Sequence, residues 1–337
     1  MSPETTTKKS IFDTLHDEIM ESDLPESEKN RRLSSLLKDS TQKVNLMLVG
    51  ATGSGKSSTI NALFNMNMAA VGMGVNPETT EIAKYELGNL IIWDTPGLGG
   101  GEESDRNHTE QIVRKLLETG EDGNLLIDIV LVVLDASSKD MAVSYSVINN
   151  TLIPCLGEGN THRIIIALNQ SDVAMKGRHW DYENNAPDSV LKEFLKEKSD
   201  SVRQKILDAT GVAVAPVCYC AGYTEDDGTQ QNPYNLPKLL FHILMAVPSG
   251  KRLVIADNLN DFSDNWGSND NDMDYSEAVK ESFLSALLVC MGDGVEKGVV
   301  TGGCILGIPG ALVGGCVGGI LGGLNSLIVK PMRNVFT

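Results

Sequence analysis

Gly50-Ala51-Thr52-Gly53-Ser54-Gly55-Lys56-Ser57 fits the spacing GxxxxGK[ST] without a mismatch. Its chemistry is phosphate binding: the glycines let backbone N–H groups converge, and the following helix N-terminus adds positive potential. Lys56 brings a point charge to the β- and γ-phosphates, and the Ser57 hydroxyl can ligate Mg²⁺. Asp94-Thr95-Pro96-Gly97 follows at the end of an apolar run, where a carboxylate can hold a metal through water and the Gly97 N–H can meet a γ-phosphate. Asn169-Gln170-Ser171-Asp172 ends another such run. Asp172 can accept from both N1–H and the 2-amino group of guanine, a donor pair that adenine lacks. Asn169 would position that loop and reach the base N7, and the stem of Gln170 would cover a base face. Thr80, the last threonine before the run at 81–87, is placed to sense a γ-phosphate and Mg²⁺. Cys220-Ala221-Gly222 follows the last apolar run, where a small-residue loop offers backbone N–H groups to guanine O6.

These residues need a scaffold that brings strand ends together. The runs VNLMLV (44–49), EIAKYEL (81–87), NLIIWD (89–94), IDIVLVVLD (127–135), HRIIIAL (162–168) and VAVAPVCY (212–219) read as strands. Several are continuously apolar, as in strands of a mostly parallel sheet covered on both faces. Gly88-Asn89 between two runs predicts a hairpin, hence one antiparallel edge pair. Helical stretches are expected around 56–65, 106–119, 139–152, 188–209 and 236–246. In the N-terminal part, Ile11, Leu15 and Ile19 recur every four residues, Leu33, Leu36 and Leu37 follow, and Pro25 marks a helix start between them.

The 337 residues carry 28 Lys+Arg against 45 Asp+Glu, a formal charge of −17 that weighs against a broad electrostatic grip on nucleic acid. The six cysteines (155, 218, 220, 290, 304, 316) show neither CxxC nor paired Cys/His spacing, so a zinc site is not expected and they read as reduced, buried residues. The N-terminal stretch has no apolar signal region and too many acids for a mitochondrial presequence, and neither a myristoyl nor a prenyl signal is seen, which sets the expectation of a cytoplasmic protein. Asp270, Asp272, Asp274 and Glu281 fall at EF-hand offsets, but the turn-glycine offset holds Tyr275, so the stretch reads as an acidic linker.

With its motifs in this order, the chain resembles the TRAFAC GTPases of the Era-like and septin/Toc-like branches. The wording GATGSGKSSTINALF, PETTE and DTPGLGG is most similar to the bacterial YfjP-type proteins, a family called "50S ribosome-binding GTPase". Over residues 44–248 the resemblance implies an α/β G domain with a mostly parallel six-stranded sheet sandwiched by helices. It further implies Mg²⁺-dependent GTP and GDP binding and slow hydrolysis coupled to switch movement. Carried over by position, Gly53, Ser54, Gly55, Lys56, Ser57 and Ser58 go to phosphate and metal, Thr80 to switch I, Asp94 and Gly97 to switch II, and Asn169 with Asp172 to the base. Lys56, Thr80 and Gly97 are then the catalytic candidates, and Ser57, Thr80 and Asp94 the metal ligands. Cys220 and Ala221 complete the nucleotide set.

The chain departs from these patterns in places. Gln170 stands where lysine is usual, Glu81 where an arginine often follows the switch threonines, and Gly53 where potassium-activated relatives place asparagine. Leu98 follows DTPG where a water-orienting glutamine stands in Ras-like proteins. Polar candidates for a hydrolytic helper are Glu102, Glu103, Arg106 and His108.

The expected organisation is an N-terminal helical arm (1–43), the G domain (44–248), an acidic linker (249–282) and a glycine-rich apolar tail (283–337). From Val299 to Val329 there is no charged residue and 10 of the 31 are glycine. Gly310, Gly314, Gly318 and Gly322 form one row at four-residue steps, and Gly315, Gly319 and Gly323 a second, the pattern of close helix packing. The expectation is a GTP switch coupled to a membrane through 299–329. The alternatives are a ribosome-assembly GTPase, disfavoured by the charge, and a GTP-loaded scaffold that forms a homodimer across its nucleotide face.

Overall fold

The computed structural model describes residues 9–66, 81–224 and 230–291. Thr80 and the glycine-rich stretch 299–329 lie outside the described residues. Strands β1 (Val44–Val49), β2 (Ala83–Leu87), β3 (Leu90–Asp94), β4 (Ile129–Asp135), β5 (Ile164–Asn169) and β6 (Val217–Cys218) form one sheet in the order β2-β3-β1-β4-β5-β6. Only the β2–β3 hairpin is antiparallel, and its turn sits on Gly88 at φ +54°, as the Gly88-Asn89 signal predicts.

Side-chain alternation along the buried strands sorts the core into two halves. Leu46, Leu48, Leu131, Val133 and Ile165 pack on one side of the sheet, against helices α1 (Ile11–Glu21), α2 (Glu26–Ser40) and α3 (Lys56–Leu63). Met47, Val49, Val130, Val132 and Ile166 pack on the other, against α4 (Glu102–Leu116) and α5, which spans 142–156 with a π turn at Ile148–Leu152, and against α6 (Ser189–Thr210). Register then brings the ends that matter to one edge. Leu48 pairs with Asp94, Val49 with Val132, and Asp135 with Asn169, so the phosphate loop, DTPG and NQSD leave the same carboxyl edge of the sheet.

Two sequence expectations meet a different structure. The run 212–219 pairs only at Val217–Cys218, against Ala167 and Leu168. It is an edge segment, and Pro216 lacks the N–H that a longer ladder would use. The stretch expected as an acidic linker is folded against the same face as the N-terminal helices. After α7 (Leu236–Ala246) come α8 (Arg252–Asp257), a 3₁₀ turn at Ser263–Trp266 and α9 (Tyr275–Met291). Trp266 is buried with its indole N–H on the Asn260 carbonyl at 3.0 Å, and Val279, Phe283 and Leu287 join the core. Scattered apolar anchors suffice there, although the average composition is acidic. Asp270 bonds to Lys238 at 2.6 Å, a residue of α7.

The N-terminal helices belong to this body. Ser10 caps α1 by accepting from the Phe12 N–H, and Asp257 at the end of α8 accepts from Ser10 Oγ at 2.9 Å and from the Ile11 N–H at 2.6 Å. Ile11, Leu15 and Ile19 are buried, whereas Leu37 on α2 is 65% exposed and Leu36 carries that helix's contact. Leu15→Ala is therefore expected to cost about 2–5 kcal/mol of folding stability, the range for a buried leucine. Urea unfolding checks this: the midpoint should fall at constant m-value, and a loss within about 0.5 kcal/mol would mean that α1 only rests on the surface.

Candidate functional site

The phosphate loop connects β1 to α3, and two of its glycines, Gly50 and Gly55, stand where side chains do not fit. A Cβ on Gly50 would come 2.3 Å from the Val133 carbonyl oxygen, and one on Gly55 2.1 Å from Asn169 Nδ2. Gly53 and Gly55 hold φ +76° and +89°, so the chain turns through left-handed backbone into the first turn of α3. Lys56 folds its ammonium back onto this loop, donating to the Gly50 carbonyl at 3.0 Å and the Ala51 carbonyl at 3.3 Å. Burial pushes Lys56 below the ordinary lysine value, with Asp94 opposing the shift, and burial pushes the Asp94 carboxyl up, with Lys56 opposing. Asp94 Oδ1 is buried without a hydrogen-bond partner among the described residues, as is Ser54 Oγ. Neither atom has a hydrogen bond among the described residues to offset its desolvation, and for Asp94 only the Lys56 charge opposes that cost.

The DTPG loop is laced to the phosphate loop. Thr95 Oγ1 donates to the Leu48 carbonyl at 2.7 Å, the Leu98 N–H to Gly50 O at 3.2 Å, and the Thr52 N–H to Leu98 O at 3.1 Å. Gly97 lies so close that a Cβ would stand 2.9 Å from the Thr52 N and Cα. Leu98 is buried in the core and away from solvent, which leaves no side chain directly after DTPG to orient water.

On the base side, Asn169 is a staple. Its Nδ2 donates to the Ser54 carbonyl at 3.0 Å and its Oδ1 accepts from the Ala221 N–H at 3.0 Å, so one amide ties three loops together. The Oδ1 and one Nδ2 hydrogen are thus engaged with protein, and the amide keeps a second N–H for the base N7 contact expected from sequence. Gln170, in left-handed backbone at φ +61°, donates Nε2 to the Gly53 carbonyl at 2.7 Å across the cleft.

A cleft of about 720 Å³ results. Its wall includes Gly53, Gly55, Lys56, Ser57 and Ser58 on the phosphate side, Asp94 and Gly97 behind them, and Asn169, Asp172 and Ala221 on the base side. Ser54 and Cys220 are not on that wall. The Ser54 hydroxyl lies against Gly50, where a Cβ would come within 2.9 Å of it. The Cys220 N–H, expected to serve guanine O6, donates instead to the Tyr234 carbonyl at 3.0 Å in an antiparallel bridge. Its thiol is buried and accepts from the Asp172 N–H at 3.3 Å, so Cys220 supports the base reader from behind. Glu102, Glu103, Arg106 and His108 sit at the start of α4 and none of them lines the cleft.

Sequence reading missed Thr59 and Tyr219, both fully buried, whose hydroxyls meet at 2.7 Å beneath the phosphate loop. Thr59 reads locally as one more residue of a helix, and Tyr219 as the end of a strand. It also missed Val173 and Tyr223 on the cleft wall, where Gly222 of the expected base loop does lie.

Residues 44–208 match the family model described as the AIG1 family. Among solved structures, the chain is similar to a dimerization-deficient mutant of Toc33 from Arabidopsis thaliana, at 17% identity and a TM-score of 0.42, over 68% of this chain and 95% of that one. It is similar to LeoA, a bacterial dynamin GTPase from ETEC, at 15% identity and a TM-score of 0.38. That match covers 63% of this chain and 36% of LeoA, so the chain spans about a third of that relative. A probable GTP-binding protein engB gives 18% identity and a TM-score of 0.38, over 60% of this chain and 98% of that one.

Proposed function

We propose that this chain, a P-loop GTPase, binds GTP and GDP with Mg²⁺ in the 720 Å³ cleft and slowly hydrolyses GTP to GDP and phosphate, acting as a switch. The observation that carries this reading is the buried Asp94 Oδ1 beside Lys56, without a hydrogen-bond partner among the described residues, behind a loop whose glycines leave the backbone bare. The donor set fits a hard cation: the Asp94 carboxylate and the Ser57 hydroxyl are oxygen ligands, with Thr80 the third candidate from sequence. When bound, Mg²⁺ neutralises charge on the β- and γ-phosphate oxygens. The protein's own part is positional. Backbone N–H groups of 53–58 cradle phosphates, and Lys56 exchanges its two carbonyl partners for phosphate oxygens. The lacing of DTPG to the phosphate loop fixes Gly97 against Thr52, from where its N–H would meet a γ-phosphate. With Leu98 in the core, intrinsic turnover is expected to be slow. Asp172 reads the guanine edge, and Ala221 closes the base side.

The test is a titration with GDP, GTP, ADP and ATP, with Mg²⁺ and after EDTA, alongside single-turnover hydrolysis. The expected result is micromolar or tighter guanine-nucleotide binding, a weakened triphosphate complex without Mg²⁺, and slow GDP formation. Equal affinity for ATP and GTP would overturn the reading.

Residues 299–329 supply the second half of the proposal: an uncharged, glycine-patterned segment through which the GTPase engages a membrane from its cytoplasmic side. Among the described residues no helix is long and apolar enough to cross a membrane. Deleting 299–337 is expected to remove the protein from floated liposomes while guanine-nucleotide affinity stays unchanged. A full-length protein that does not float, and melts far above the truncated one, would mean that the segment is buried against protein. The charge of −17 weighs against the ribosome-assembly alternative. Homodimerisation across the nucleotide face is checked in the same preparations by sedimentation with a GTP analogue.

A further inference from the structure

Tyr219 has no solvent exposure, and its phenol oxygen lies 2.7 Å from Thr59 Oγ1, which lies 2.7 Å from the Gly55 carbonyl. A carbonyl only accepts, and the threonine hydroxyl has a single hydrogen. Thr59 therefore donates to Gly55 and accepts from the Tyr219 O–H, so the chain of bonds runs one way and every member is satisfied. Burial raises the Tyr219 phenol above its ordinary value, which keeps the proton this chain requires.

The main chain of the same residue is bound to the base-reading side. The Tyr219 N–H donates to Leu168 O at 2.9 Å, and the Ser171 N–H, inside NQSD, donates to Tyr219 O at 3.3 Å. The next residues, 220–222, are the loop that closes the base end of the cleft, with Ala221 and Gly222 on its wall.

We propose, on the guanine-nucleotide reading given above, that Tyr219 is a positioning residue for base recognition: its hydroxyl fastens the base loop to Gly55 of the phosphate loop through Thr59. A nucleotide has a set spacing between base and phosphates, so a cleft that presents both at that spacing avoids an ordering cost on binding. Asn169 provides one bridge, from Ala221 to Ser54, and Tyr219–Thr59 provides a second, to the neighbouring residue of the phosphate loop.

The experiment compares GDP and ADP affinity in the full-length wild type, Tyr219→Phe, Thr59→Val, Thr59→Ser and the double variant Tyr219→Phe/Thr59→Val, together with melting temperatures. Phenylalanine keeps the ring volume, and Thr59 can still donate to Gly55. Tyr219→Phe is expected to weaken GDP roughly three- to tenfold, the worth of one buried hydrogen bond, and to leave ADP unchanged. The GDP-to-ADP preference should shrink by the same factor. Thr59→Val should match it, Thr59→Ser should restore wild-type preference, and the double variant should be no worse than either single one. A lowered melting temperature with an unchanged GDP-to-ADP preference in both Tyr219→Phe and Thr59→Val would overturn the proposal, leaving the pair a packing contact. Additive losses in the double variant would overturn the bridge. A wild type with no preference for GDP over ADP would overturn the guanine reading itself, and this proposal with it.

Discussion

Lys56→Ala is expected to remove measurable guanine-nucleotide binding, a loss of about a hundredfold or more, equivalent to roughly 3 kcal/mol or beyond. The reason is the setting of the charge. Lys56 is half-buried at the start of α3 with its ammonium on two carbonyls of the phosphate loop, and desolvation already disfavours its charged form. A triphosphate would bring several negative oxygens into that poorly screened space, where an ion pair is worth far more than at a surface. Without nucleotide the same substitution should be mild, because the folded protein bears a desolvation cost for that charge. The sign of the pH dependence follows. A lysine depressed in the folded state binds fewer protons there than in the unfolded chain, between its depressed value and the ordinary 10.5. Nucleotide-free stability should therefore rise with pH across that interval in the wild type, and this contribution should vanish in Lys56→Ala. Calorimetric titration with GDP, and melting curves of both proteins against pH, check the two halves. Retention of GDP affinity within tenfold would show that the cleft holds phosphates by its backbone alone.

Asp172→Asn is expected to exchange the base preference rather than abolish binding. The carboxylate has two acceptor oxygens for the two donors on the guanine edge, and asparagine offers one acceptor and one donor. Guanine then faces a donor with a donor, while xanthine, with a carbonyl at that position, finds a partner. A buried mismatch of this kind costs far more than a lost methylene, so GDP affinity should fall by about a hundredfold or more while XDP gains. The backbone is set to survive the change, since the Asp172 N–H is held by the Cys220 thiol and Asn169 bridges independently to Ser54 and Ala221. Competition of GDP, XDP and ADP against a fluorescent guanine nucleotide reads the result. Unchanged GDP affinity would place the base elsewhere in the cleft.

Much of this protein is decided locally and was legible in the sequence. The segment GATGSGKS puts glycines at 53 and 55, where left-handed backbone turns the chain from β1 into α3. Continuous apolar runs at 44–49 and 129–135 require two covered faces, so the parallel sheet and its helices follow from residue order. Motifs at the ends of those runs then share one edge, because parallel strands all end there.

What the sequence could not decide is which distant groups would touch. Asn169 was legible as a base-side residue, but its role as a staple depends on β5 and the phosphate loop lying within one amide's reach. Cys220 was placed at the base by position, and tertiary pairing with Tyr234 drew its N–H away and turned its thiol toward Asp172. The acidic stretch at 249–282 reads as a connector because composition averages over a window, whereas burial is settled by single anchors such as Trp266 and Val279. Asp257 clasping the start of α1, 246 residues away along the chain, leaves no local trace. Periodicity and turn chemistry are properties of neighbouring residues and can be read in order. A hydrogen bond across the core exists only once packing has set the separation of its two ends, and that separation is a property of the whole fold.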